Sequence, residues 1–197
     1  MERIIYTANF GGYDRILPVH DGLRRICFAD DKFLCPGWEV IVLPYSEKIY
    51  RDIKCRPHEY LPPHTHSVWM DANIYGTPVH REGLWVMDHP DRKTIAQEAE
   101  ACIRLKKDYA STVIRQVRGY PPLEVVATGV VYRNNDLLTT TFNELWWREV
   151  RDGSVRDQLS FTFAARCVKI NYNKFAFLQG FSKVKHYIRR HEQMGHN

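Results

Sequence analysis

Ser67-Val68-Trp69-Met70-Asp71-Ala72-Asn73-Ile74 is an apolar run that opens into two oxygen-bearing side chains, Asp71 and Asn73. In an extended segment that spacing sends both side chains to the same side. A carboxylate and an amide oxygen together suit a hard cation such as Mg²⁺ or Mn²⁺, and a cation so held can grip a diphosphate. Taken alone the pair reads first as a strand followed by an Asp/Asn turn, since both residues are common turn formers. Asp157-Gln158, within Ser154-Val155-Arg156-Asp157-Gln158-Leu159-Ser160-Phe161, has two readings. Asp157 stands three residues after Ser154, the spacing of a capping box with Asp in place of Glu or Gln, which marks a helix start. Alternatively it is a carboxylate facing a reacting sugar, where it would stabilise oxocarbenium-like charge, with Gln158 beside it as hydrogen-bonding partner or nucleophile.

Other residues carry weaker signals. His58, His64 and His66 crowd into P-H-E-Y-L-P-P-H-T-H. H-x-H is the spacing of a zinc half-site, but Pro62-Pro63 imposes an irregular backbone and no Cys or paired acid follows at standard spacing. His186 lies in a basic tail and reads as solvated, or as a third ligand completing a site begun by Asp71 and Asn73. Glu144, Trp146 and Trp147 offer a sugar-stacking platform, although at helical spacing at least one tryptophan belongs to the core.

These residues need elements to hold them. Apolar, β-branched runs predict strands at Arg3–Ala8, Arg24–Ala29, Trp38–Leu43, Val68–Met70, Leu84–Met87 and Glu124–Tyr132. Helices are expected at Glu47–Cys55, stopped by Pro57, and at Thr94–Lys107, with Thr94 as cap and Ile95, Ala99, Cys102, Ile103 and Leu105 as the buried stripe. Tyr109–Tyr120, Leu137–Val150 and Arg156–Ala165 complete the helical set, and 183–197 is a basic tail. Alternating strands and helices around one mostly buried sheet make an α/β domain. Three strands end alike, at Ala8-Asn9, Ala29-Asp30 and Met70-Asp71. As parallel neighbours they would place those ends together at one sheet edge, where open α/β sheets bind ligands. The loop Asn9-Phe10-Gly11-Gly12-Tyr13-Asp14 carries paired glycines that permit close backbone approach to a ligand.

Bulk properties narrow the classes. A chain of 197 residues is expected to form one domain and to bury roughly 70% of its unfolded surface. Its composition, 44% hydrophobic and 26% charged, is that of a globular protein. A net charge of +5 attracts anionic ligands such as nucleotide diphosphates. The absence of a zinc finger, an RNP-type aromatic motif or a basic repeat speaks against nucleic acid. Five scattered cysteines without a C-x-x-C pair point to reduced thiols. With no apolar leader or span of transmembrane length, a cytoplasmic location is expected.

Together, Tyr6–Asp14, Phe28–Asp31, Lys54-Cys55-Arg56-Pro57-His58, Ser67–Asn73 and Arg156–Phe161 resemble one family. It was long catalogued as a domain of unknown function and is now described as glycosyltransferases, with plant mucilage-related, bacterial and large-virus members. The resemblance runs in order from about residue 4 to 163. More distantly the layout is similar to glycogenin- and galactosyltransferase-type enzymes, which use a UDP-sugar and Mn²⁺. The resemblance implies a single GT-A-like domain over 1–197 with a mixed, mostly parallel central sheet flanked by helices. It implies transfer of a hexose-type sugar from a UDP-glucose-like donor to a glycan or other hydroxyl acceptor, with Mn²⁺ or Mg²⁺ and retention of configuration. Thr7, Ala8, Asn9 and Asp14 would border the nucleotide and Asp30 the uracil. Lys54 would reach the diphosphate or donor sugar. Asp71, Ala72 and Asn73 would stand for D-x-D, and Asp157-Gln158 would face the sugar over Thr128-Gly129. Metal would sit on Asp71, Asn73 and His186, and the acceptor would enter past His89, Trp146 and Trp147. Asn73 replaces the second Asp of D-x-D, which removes one negative charge from the metal site. Two other classes remain open: a metal-dependent hydrolase on His58, His64 and His66, and a non-catalytic binder of sugar nucleotide.

Overall fold

The computed structural model describes residues 2–176. His186 and the 183–197 tail therefore lie outside the described residues. Seven strands form one sheet: β1 (Arg3–Ala8), β2 (Arg24–Ala29), β3 (Glu39–Val42), β4 (His66–Met70), β5 (Leu84–Asp88), β6 (Val126–Asn134) and β7 (Tyr172–Phe175). Their order is β3-β2-β1-β4-β6-β5-β7. All contacts are parallel except those of β6, which runs antiparallel to both β4 and β5. The expected mixed, mostly parallel α/β sheet is present. β7 is the one strand whose sequence, Tyr-Asn-Lys-Phe, is too polar and short to be read as a strand before the sheet is seen.

The helices are α1 (Ile49–Cys55), α2 (Pro57–Tyr60), α3 (Ile95–Arg104), α4 (Ala110–Val117), α5 (Leu137–Asp152) and α6 (Phe161–Val168). One sheet face presents Ile4, Tyr6, Ile26, Phe28, Trp69 and Val131, which pack with Ile53 of α1, Phe142 and Trp146 of α5, and Phe161 of α6. The other face gathers Ile5, Val68, Met70, Val130 and Tyr132 with Ile74 from the segment after β4. The alternation Ile4/Ile5/Tyr6 is the period-two rule applied to a strand covered on both faces.

Several boundaries differ from the expectations for local physical reasons. Helix α1 ends at Cys55 as expected, with Arg56 before the proline outside the helical region; Pro57 itself then sits in the first turn of α2, where a missing N–H costs nothing. Thr94 caps α3 as expected, and Gln97 completes a reciprocal capping box. Leu105 falls past the end of α3 and is exposed, so it leaves the buried stripe. Ser154 caps no helix. Its hydroxyl donates to Asp108 Oδ2 at 2.7 Å, and 157–159 form a separate 3-10 turn before α6 begins at Phe161.

Candidate functional site

β1 has β2 on one side and β4 on the other, so the chain leaves β1 in one direction and returns on its far flank. Such a switch opens a crevice at the carboxyl ends of the two strands. Continuing the register that sets Tyr6 opposite Trp69 brings Ala8 level with Asp71. Because β6 runs the other way, its first residues reach the same edge: Asp71 N donates to Gly129 O at 2.8 Å. The three strand ends at Asn9, Asp30 and Asp71 thus share one edge of the sheet.

Helix α1 lies over this edge, with Arg51 and Lys54 one turn apart on the same face. Lys54 is almost wholly buried, its side chain 1% exposed, and its ammonium group meets three oxygens. Asp157 Oδ2 is 2.7 Å away, Thr128 Oγ1 3.3 Å and Asp71 Oδ1 3.4 Å. Asp157 is equally buried; its Oδ1 pairs with Arg51 at 3.0 Å, and its Oδ2 also accepts the Thr128 hydroxyl at 2.8 Å. Burial alone would raise the Asp157 carboxyl, but the charges of Arg51 and Lys54 overcome it and hold the group far below the usual carboxylate range. Two cations and two carboxylates balance, which is what permits this much charge away from water.

The surroundings lock the pair in place. Tyr6 OH donates to Lys54 O at 3.0 Å, and Arg133 donates to the same carbonyl at 2.9 Å. Trp146 Nε1 donates to Asp157 O at 3.0 Å. The turn that carries Asp157 is moored by Asp108, which accepts from Ser154 and Val155, and by buried Glu98, which accepts from Arg156 Nε at 2.8 Å. Gln158 is 8% exposed, and its Oε1 has no hydrogen-bond partner among the described residues. A buried acceptor left open in this way is satisfied by a donor from water or a ligand.

Asp71 behaves differently. Its side chain is 40% exposed, and its Oδ1 accepts the Trp69 indole N–H at 2.7 Å. Its Oδ2 lies 3.2 Å from where a Cβ on residue 129 would stand, so glycine there leaves that oxygen room. The extended geometry expected for Asp71 and Asn73 is not found. The strand ends at Met70, and Ile74 N donates back to Asp71 O at 2.8 Å, making 71–74 a turn. The period-two relation therefore joins Trp69 to Asp71 rather than Asp71 to Asn73.

Beside this cluster a cleft of about 750 Å³ is bordered by Asn9, Gly11, Gly12, Asp14, Ala29 and Asp30, a size suited to a small ligand. The loop that shapes it is self-closed. Asn9 Oδ1 accepts Asp14 N at 3.0 Å, and Asn9 Nδ2 donates to Asp14 O at 2.7 Å. Both Asp30 oxygens accept Gly11 N at 2.9 Å, and Gly11 has φ of 67°, which favours glycine. Asn9 and Asp30 therefore build the cleft wall with their side chains. Thr7 is buried within β1, and neither it nor Ala8 lines the cleft, which begins at Asn9.

The acceptor-side expectations are corrected. Trp146 is fully buried between Phe142 and Phe161, and Trp147 is 9% exposed with Arg56 over its ring, so neither offers an open face for a sugar. His89 is 7% exposed, and its Nδ1 accepts the backbone N–H groups of Asp91 and Arg92 at 3.2 and 3.1 Å. It anchors the turn before α3. The three histidines of the alternative hydrolase reading also take separate partners. His58 pairs with Glu144, His64 with the carbonyl of Pro62, and His66 with Glu82. Sequence reasoning missed Arg51 as a partner of Asp157 and Trp69 as a partner of Asp71. The i, i+3 spacing from Arg51 to Lys54 and the i, i+2 spacing from Trp69 to Asp71 were the available signals.

The fold and this edge define an α/β protein with a buried ion-pair cluster beside a small-ligand cleft. No protein-family model matches the chain, and no curated protein matches it. Among the described residues no helix is long and apolar enough to cross a membrane, and no two of the five cysteines are joined.

Proposed function

We propose that the chain is a glycosyltransferase that moves a hexose-type sugar from a UDP-sugar to a hydroxyl acceptor on a glycan. The observation that carries the reading is the buried Asp157–Lys54 pair, braced by Arg51 and reaching the partly exposed Asp71, at the switch-point edge and beside a cleft of about 750 Å³. A nucleoside fits a cleft of that size, and its diphosphate would then extend toward Lys54 and Asp71. The hard oxygens of Asp71 suit Mn²⁺ or Mg²⁺, which such sites hold with one or two carboxylates plus substrate phosphates. Asn73 would join as a further ligand only through a rearrangement of the 71–74 turn, since its extended placement beside Asp71 is not found. The ion would supply Lewis-acid neutralisation of the leaving diphosphate. A cytoplasmic location is part of the proposal and rests on the unpaired cysteines.

The chain's own residues have distinct tasks. Lys54 holds positive charge between Asp157 and Asp71, where departing negative charge would be stabilised. Asp157 has both oxygens engaged, so it acts by fixed negative charge toward a cationic sugar and by orienting Lys54. Gln158 offers its open amide oxygen to a sugar hydroxyl. Gly129 leaves the space that a side chain would take from the donor.

The test is a thermal-shift panel of UDP, GDP, CMP and UMP, each with and without Mn²⁺, followed by an assay of UDP-sugar turnover. Stabilisation by UDP that requires Mn²⁺, together with turnover, supports the reading. Indifference to every nucleotide refutes it, and binding without turnover on any acceptor or water reduces the chain to a sugar-nucleotide binder.

A further inference from the structure

We infer that His66, His80 and Glu82 form a second metal site, selective for a transition metal of the zinc class, at the sheet edge opposite the proposed donor site. His66 opens β4, whereas Asp71 follows its far end, so five strand residues separate the two edges. Glu82 points its two oxygens at the two rings. Oε1 is 2.7 Å from His80 Nε2, and Oε2 is 2.9 Å from His66 Nε2. The rings stand edge to face with centroids 5.1 Å apart. The three ligand atoms lie within 4.8 Å of one another, and ligands of a tetrahedral zinc ion stand about 3.3 Å apart.

The tautomer of His66 favours a cation. Thr65 Oγ1 lies 3.1 Å from the carbonyl of Glu2, which can only accept, and both contacts of that hydroxyl are hydrogen bonds when its proton points there. Thr65 Oγ1, 2.9 Å from His66 Nδ1, is then left to accept, and Nδ1 carries the ring proton. The neutral ring thus aims the lone pair of Nε2 at a carboxylate oxygen. Two acceptors at that distance require something positive between them, either a further proton or a metal ion. An outer partner on the non-ligating nitrogen is the usual support of a metal-bound histidine. His66 is buried while His80 and Glu82 are exposed, which gives an anchored ligand and an open path for the ion.

A second trio, His58, Glu59 and Glu144, is a weaker candidate for a transition metal because it offers a single imidazole. Among the described residues Glu82 pairs with no Lys or Arg. Two imidazoles and one carboxylate favour zinc, copper or nickel over Mg²⁺ and Ca²⁺. Bound there, the ion would tie the segment returning from Asn73 to the base of β4.

The full chain, stripped with chelator, is titrated with Zn²⁺ by calorimetry and with Co²⁺ by visible absorption. One ion per chain is expected, with tetrahedral cobalt bands and a rise in melting temperature. His80→Ala and Glu82→Gln, both at exposed positions, are each expected to weaken binding about 100-fold or more, since even an outer partner is worth about 10–100-fold. Asp71→Ala and His58→Ala are expected to leave it unchanged. The inference is overturned if no saturable binding occurs, if binding survives both His80→Ala and Glu82→Gln, or if it vanishes in Asp71→Ala or His58→Ala. Because Asp71→Ala separates the two sites, this result does not depend on the outcome for UDP.

Discussion

At the scale of single residues, Lys54 is the group on which most of the site depends. Lys54→Met keeps the length and removes the charge, leaving buried Asp157 with Arg51, at 3.0 Å, as its one remaining cation among the described residues. Breaking a buried pair in this way costs about 3–5 kcal/mol. A urea midpoint lowered to match is expected, together with loss of sugar transfer; an unchanged midpoint would show that the pair contributes no net stability. Asp71→Ala contrasts with it, because the Asp71 side chain is 40% exposed and its main loss is the hydrogen bond from Trp69. Destabilisation of about 1 kcal/mol is expected, while Mn²⁺-dependent UDP binding disappears in calorimetry. Gly129→Ala would set a Cβ 3.0 Å from Ile74 Cδ1 and Met87 Cε and 3.2 Å from Asp71 Oδ2. Overpacking of this kind costs about 1–3 kcal/mol, and a larger fractional loss in UDP affinity than in stability would mark the glycine as serving the ligand.

At the scale of elements, α1 and the 3-10 turn at 157–159 deliver the two halves of the central ion pair, and neither is held by local propensity alone. Lys48 Nζ ties the residue before α1 to the carbonyls of Val150, Arg151 and Gly153 at the end of α5. Glu98 of α3 holds Arg156 next to Asp157. Helix α3 is therefore a support for the turn as well as a surface helix. Thr94→Ala removes its capping hydroxyl, which accepts Gln97 N at 3.3 Å, and is expected to cost about 1 kcal/mol by denaturant titration. Turnover should change little, since Glu98 stays in place. A loss of turnover beyond the loss of stability would show that helix fraying reaches the turn.

At the scale of the whole molecule, stability should fall with pH in two stages. Burial, reinforced by the neighbouring Arg92, holds His89 below the ordinary imidazole range. The unfolded chain takes up a proton near pH 6.5 that the folded ring resists, because its Nδ1 already accepts two backbone N–H groups. Stability is therefore lost as pH falls through the unfolded value. Asp157 has the same sign at lower pH. Its contribution is present above about 4, the unfolded carboxylate value, and is lost as pH falls toward its depressed folded value. Urea midpoints measured between pH 7.5 and 5 in wild type and His89→Gln check the first stage, with a flatter slope expected in the variant. Equal slopes would assign the loss to other groups.

What sequence determines here is mostly local. Apolar runs opening into Asn9, Asp30 and Asp71 are features of a few adjacent residues, and they locate the strands, the carboxyl-edge residues and the α/β class. A capping box at Thr94 is likewise complete within four residues. Local pattern misplaces Asn73, because it cannot say that β4 stops at Met70 and turns. Nor can it divide His58, His64 and His66 among Glu144, a carbonyl and Glu82, or sink Trp146 beneath Asp157. Those outcomes belong to tertiary structure. Lys54 meets Asp71 across 17 residues of chain and Thr128 across 74, and only strand order and helix packing bring such distant groups together. Residue chemistry named the candidates; burial decided which charges had to pair, because an unpaired charge away from water is too costly to persist.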